Sequence, residues 1–168
     1  MSLSREDPFE KRIKRKLSYE EAKVKVASYC AYQERYQQEV RSKLYSYGLY
    51  QSEVEELLSY LISEGFVNEE RFALAFAGGK FRLKKWGKVK IENELKKRNI
   101  SPYCIQKALS EIEEEDYLDT IAALVESKMT LSSNEDLFTL KKQIADYLIR
   151  KGFESDLVWN ILNDKISK

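Results

Sequence analysis

Apolar residues recur at helical spacing along almost the whole chain, and each apolar stretch ends at a glycine, an asparagine or a short polar run. A first helix is predicted from Ser18, whose pairing with Glu21 fits a capping box, with Ala22, Val26, Tyr29 and Cys30 as its inner stripe. A second spans Tyr36–Tyr47 with Val40 and Leu44 inward and stops at Gly48. Ser52 is expected to cap a third, carrying Val54, Leu57, Leu58 and Leu61, and Gly65 closes it. Asn68 then caps a helix with Glu69 and Glu70 in its first turn, where carboxylates favour the dipole, and Phe72, Ala75, Phe76, Gly79 and Leu83 are expected along one face. Ala75 and Gly79 keep that face thin. Gly78-Gly79 inside a helix costs roughly 1 kcal/mol per glycine, which implies either close packing or a bend.

The pattern continues in the same style. A helix from near Gly87 to Arg98 turns Ile91 and Leu95 inward and ends at Asn99, a residue tolerant of left-handed backbone. Ser101 and Pro102 open the next, with Ile105, Ala108, Leu109 and Ile112 as its stripe. Tyr117, Ile121, Leu124 and Val125 mark another, followed by a polar break at Ser132-Ser133-Asn134. Leu137–Arg150 carries Ile144 and Leu148 and ends at Gly152, and Ser155 caps a last helix with Val158, Trp159 and Leu162.

These segments repeat. Val40, Leu44, Gly48, Leu49, Val54 and Leu58 align without gaps on Ile91, Leu95, Asn99, Ile100, Ile105 and Leu109, and on Ile144, Leu148, Gly152, Phe153, Val158 and Leu162. A period near fifty residues implies stacked helical units. The expected fold is therefore all-α, a tandem array of three three-helix repeats, elongated and curved. Its divisions are a flexible basic arm at 1–17 and repeats at 18–65, 66–112 and 113–168. The arm carries Lys11, Arg12, Lys14, Arg15 and Lys16 and reads as a solvated tail or a phosphate-contacting one.

Composition narrows the chemistry. Histidine is absent, which removes the commonest general base and metal ligand, and Cys30 and Cys104 stand alone. Neither a zinc site nor a Cys–His nucleophile can be assembled and no disulfide framework is expected, so no metal, no cofactor and no enzyme is expected. No apolar window is long enough to span a membrane and no secretory signal precedes the first helix, so a cytoplasmic protein is expected. The net charge of +1 conceals strong segregation. Lys80, Arg82, Lys84, Lys85, Lys88, Lys90, Lys96, Lys97 and Arg98 crowd the middle of the chain against only Glu92 and Glu94, whereas 111–119 is acidic throughout. A Lys88–Glu92–Lys96 ladder explains part of the basic run, at about 0.2–0.5 kcal/mol per pair. The remainder points to an anionic partner.

The stretch Gly65-Phe66-Val67-Asn68-Glu69-Glu70-Arg71-Phe72-Ala73, then Phe76, the basic run to Gly87, and Ile91, Glu94, Leu95 and Asn99-Ile100 resemble the RecX family of bacterial RecA regulators. Asn99 stands where that family usually has glycine, and the surroundings of Gly78–Lys85 carry less bulk and less arginine than is usual there. The resemblance implies tandem three-helix repeats and a non-enzymatic protein that lodges in the groove of the RecA nucleoprotein filament. It further implies inhibition of strand exchange and ATP hydrolysis, with direct DNA contact in some members. A monomer is expected.

Several residues admit two readings. Arg71 either anchors a partner or pairs with a nearby carboxylate, and Trp86 either stacks on a base or packs between helices. Phe72 and Phe76 are expected in the core. The eleven tyrosines allow base stacking but sit mostly on helix faces. Ile91–Leu109 mimics a helix-turn-helix, yet only Tyr103, Gln106 and Lys107 are available for base contact, so backbone contact is expected rather than sequence reading. The competing functions are a filament regulator, a non-specific nucleic-acid-binding module, and an adaptor docking through the acidic 111–119 segment.

Overall fold

A computed structural model describes residues 16–132 and 136–166. Lys11, Arg12, Lys14 and Arg15 of the expected arm, and Ser133 and Asn134 of the polar break, lie outside the described residues. The described residues form nine helices and no strand: α1 (Tyr19–Tyr32), α2 (Gln37–Ser46), α3 (Gln51–Ser63), α4 (Glu69–Lys84), α5 (Lys88–Lys97), α6 (Pro102–Ser110), α7 (Glu114–Leu131), α8 (Leu137–Arg150) and α9 (Ser155–Lys165). They group into two compact units, Met1–Val67 and Asn68–Lys168.

In the first unit, α1 to α3 enclose a core of Ala22, Val26, Cys30, Val40, Leu44, Val54, Leu57 and Leu61. Ser18 caps α1 by accepting the Glu21 amide at 3.1 Å. Helix α3 begins earlier than Ser52 suggests: its N-cap is Tyr50, whose N–H donates to the Glu53 carboxylate at 3.1 Å, leaving Ser52 inside the first turn. Burial pushes the Cys30 thiol up to about 11, so this cysteine is an inert core residue.

The repeat is real at every aligned position. All fifteen aligned apolar side chains, from Val40 to Leu162, are buried. The three stops, Gly48, Asn99 and Gly152, all have left-handed backbone, at φ 87°, 58° and 97°. Asparagine reaches this region at modest cost, so Asn99 does the work that glycine does in the other two repeats. The likeness extends to the first helix of the trio, where Ala22, Val26 and Cys30 occupy the places of Ala73, Ala77 and Phe81, all buried.

The second unit holds two trios, α4–α6 and α7–α9. Helix α4 differs from expectation in its face. Asn68 caps it by accepting the Arg71 amide at 2.8 Å, but its buried residues are Phe72, Ala73, Ala77 and Phe81. Ala75 is exposed and Leu83 is 82% exposed. The same rotation is found in α1, whose buried Ala22, Val26 and Cys30 align with Ala73, Ala77 and Phe81, and in α4 it sets Phe81 on Tyr117 of α7, ring centroids 5.8 Å apart. That rotation carries Leu83 out to solvent. The double glycine serves no close helix packing, because a Cβ at Gly79 would meet nothing within 4 Å and one at Gly78 would meet the Arg82 guanidinium. Helix α9 is also capped one residue before the expected Ser155, by Glu154.

Candidate nucleic-acid and filament interface

The α4–α5 corner is where the basic run folds. Helix α4 ends in a Schellman arrangement: Lys85 takes left-handed backbone at φ 56°, its N–H donates to the Phe81 carbonyl at 3.1 Å, and the Trp86 N–H donates to Lys80 at 3.2 Å. A lysine there costs the backbone about 1 kcal/mol relative to glycine. Gly87 then caps α5, and the corner meets the α8–α9 corner of the next trio. The Gly87 N–H donates to the Lys151 carbonyl at 2.8 Å and the Val89 N–H to the Gly152 carbonyl at 3.0 Å. Only two glycines allow this crossing, because a Cβ on Gly87 would lie 2.2 Å from the Gly152 backbone and one on Gly152 2.3 Å from Lys90 Cβ.

Tyr117 locks the same crossing. Its ring is 3% exposed and packs on Phe153 at 5.4 Å, while its hydroxyl accepts the Lys88 amide at 3.0 Å and donates to the Glu154 carboxylate. One phenol thus joins the start of α5 to the cap of α9. Burial, then the bond to Glu154, drives its ionisation well above the ordinary tyrosine range.

Around this frame the nine cations fall into four sets. Lys80, Lys90 and Arg98 sit on one aromatic pair, Phe76 and Trp86, whose rings meet edge-on at 6.4 Å. Lys80 lies 5.0 Å and Lys90 4.4 Å from the Trp86 ring centre, and Arg98 4.7 Å from that of Phe76. Trp86 and Phe76 are both half-buried, so Phe76 lines the edge of the core and not its centre. Lys84 and Lys88 flank the crossing, Lys88 over the Tyr117 ring at 4.8 Å. Arg82 and Lys85 stand apart, lining a cleft against α7. Lys96 and Lys97 end α5 and are neutralised by Glu92 at 3.1 Å and Glu94 at 2.9 Å. Glu94 also takes Arg98 at 3.0 Å, and its hydrogen bonds with Lys97 and then Arg98 hold its carboxyl below the usual range. The expected ladder is only half made: Glu92 pairs with Lys96, while Lys88 turns to Tyr117.

Lys80, Arg82, Lys84, Lys85, Lys88 and Lys90 make no ion pair among the described residues. The structure adds a cation that the sequence reading missed: Lys151 Nζ donates to the Lys84 carbonyl at 2.9 Å, bringing the third repeat's charge to the second repeat's corner. The only signal in the chain was its place beside the left-handed stop Gly152, at the position Arg98 holds beside Asn99.

The remaining motif residues hold the trio together. Glu69 accepts the Ser101 amide at 2.9 Å, tying the start of α4 to the cap of α6, and Glu70 pairs with Lys107 at 2.6 Å. Arg71 is exposed, Phe66 is half-buried, and Gly65 takes φ 77° at the end of α3. Leu95 is fully buried. Among the described residues, no group of three or more histidine, cysteine or acidic side chains could hold a metal ion, and no helix is long and apolar enough to cross a membrane.

Comparison with known proteins agrees with this architecture. The family model "RecX, second three-helix domain" matches residues 68–109 and "RecX, third three-helix domain" matches 114–162, together more than half of the chain. Regulatory protein RecX of Bacillus cytotoxicus is 27% identical over 139 residues, and that of Bacillus cereus 22% identical over the same length; the match covers 83% of this chain and 52% of each relative. The chain thus spans about half the length of the curated relatives it matches. The crystal structure of RecX from Lactobacillus salivarius superposes with a TM-score of 0.78 at 21% identity, covering 87% of this chain and 95% of that one. A second crystal structure, of a regulatory protein RecX, gives 0.77 at 20% identity, covering 87% and 71%. These likenesses establish the same all-α fold of three-helix repeats. With two consecutive RecX domains matched in order, the chain belongs to the RecX family.

Proposed function

We propose that the chain is a non-enzymatic regulator that binds the RecA nucleoprotein filament in its groove and inhibits its ATP hydrolysis and strand exchange. It would act in recombination and repair in the cytoplasm, as a monomer. The observation that carries this reading is the cationic corner of α4 and α5, on the second RecX domain, where Lys80, Lys84, Lys88 and Lys90 make no ion pair among the described residues and so favour an anionic partner. The resemblance supplies the identity of that partner, and the physical chemistry supplies the surface. Inhibition follows from occupancy: a chain seated in the groove blocks strand access and opposes the protomer motion that turnover needs.

A second reading, a sequence-non-specific nucleic-acid binder with no filament partner, draws on the same lysines and on Trp86. The helix-turn-helix mimicry lends it little specificity, because α6 exposes Tyr103, Gln106, Lys107 and Ser110 but no arginine or asparagine, and Lys107 is paired with Glu70. A pull-down with RecA, with and without single-stranded DNA and nucleotide, separates the two. Retention that requires the assembled filament supports the regulator; equal retention on bare DNA supports the binder.

A further inference from the structure

Arg82 and Lys85 do not join the other cations. They line a cleft of about 430 Å³ between the end of α4 and the start of α7, and Asp116 and Asp119 line its opposite side. Phe81 and Leu124 supply apolar surface between them. None of these four makes an ion pair within 4 Å among the described residues. The frame explains why. The α4 end is fixed by the left-handed Lys85 and by Phe81 on Tyr117, and α7 is fixed by the Tyr117 hydroxyl to α5 and α9. With both helix ends fixed, the cations of one wall and the carboxylates of the other stay exposed to solvent, the Arg82 guanidinium folding back over Gly78 of its own helix.

The acidic wall excludes a polyanion. Asp116 and Asp119 continue a run with Glu113, Glu114 and Glu115, all exposed, so phosphate meets repulsion here while it meets attraction at Lys84, Lys88 and Lys151. We infer that this cleft docks a protein segment with an apolar side chain between a carboxylate and a cation. The apolar group seats on Phe81 and Leu124, the carboxylate meets Arg82 and Lys85, and the cation meets Asp116 and Asp119. This rests on the filament reading above and assigns the segment to the recombinase protomer, leaving DNA to the lysines of the crossing.

The two partners respond with opposite signs to one change. The test measures binding of D116K/D119K, of A123W (which fills the slot without altering charge) and of the unmodified chain. The probes are a RecA filament on a single-stranded oligonucleotide with a non-hydrolysable ATP analogue, and the bare oligonucleotide. The expected result is at least tenfold weaker filament binding for both variants. Bare-oligonucleotide binding is unchanged for A123W and stronger for D116K/D119K, which also shows that both variants remain folded. An unmodified chain that binds the filament alongside variants that bind it equally well overturns the cleft and leaves the regulator intact. An unmodified chain that does not bind the filament overturns both.

Discussion

Gly87 and Gly152 cross so closely that a single Cβ on either would overlap the other's corner, 2.2 Å from the Gly152 backbone in one case and 2.3 Å from Lys90 Cβ in the other. Backbone hydrogen bonds run directly between the two trios at that point. Three glycine substitutions therefore separate packing from propensity. Gly87→Ala forces the corners apart and is expected to destabilise the second unit by about 1–3 kcal/mol. Gly152→Ala adds left-handed strain and costs more. Gly79→Ala, in open space inside a helix, gains about 0.5–1 kcal/mol. Urea unfolding midpoints check the order, and a stable Gly87→Ala protein contradicts the crossing.

Tyr117→Phe strands the Lys88 amide and the Glu154 carboxylate inside the same crossing. The expected loss is about 1–3 kcal/mol, read as a lower melting temperature. The pH dependence follows from the raised pKa of the buried phenol. Unfolded Tyr117 ionises near the ordinary tyrosine value of 10.0 while the folded form stays protonated, so its contribution is complete below pH 10 and is lost as pH rises above it. The unmodified chain should lose stability more steeply above pH 10 than Tyr117→Phe does. Parallel curves contradict the assignment.

Adjacent glutamates at the start of α4 differ in kind. Glu70 and Lys107 are both well exposed, so Glu70→Gln should change stability by less than about 1 kcal/mol. Glu69 accepts the half-buried Ser101 amide, and Glu69→Ala should cost about 1.5–3 kcal/mol. Denaturant titration of the two variants checks the order, and equal losses contradict it.

Much of this was legible along the chain because the signals are local. The stops at Gly48, Asn99 and Gly152 and the apolar residues around them declare their conformations without knowledge of neighbours. What could not be read depends on the next trio. That Phe81 stacks on Tyr117 is one such contact, although its inward turn, with Ala73 and Ala77, follows the aligned Ala22, Val26 and Cys30 of α1. Lys151 reaches Lys84 across 67 residues, and no periodicity reports such a contact. Hydroxyls are the commoner caps, which points to Ser52 and Ser155 for α3 and α9, whereas Glu53 takes the Tyr50 amide and Tyr117 the Glu154 carboxylate.

Charge reversal at Lys84, Lys88 and Lys151 distinguishes the two functional readings. A simple nucleic-acid binder loses bare-DNA binding entirely. A filament regulator keeps measurable filament affinity through its protein contacts, with a salt slope lower by about 0.9 for each phosphate contact removed. Fluorescence anisotropy across a salt series on both probes reads the difference.

DNA-dependent ATP hydrolysis by RecA, measured with increasing amounts of the unmodified chain, tests the regulator most directly. The rate should fall at ratios well below one chain per recombinase protomer. A rate that stays constant at saturating chain contradicts it.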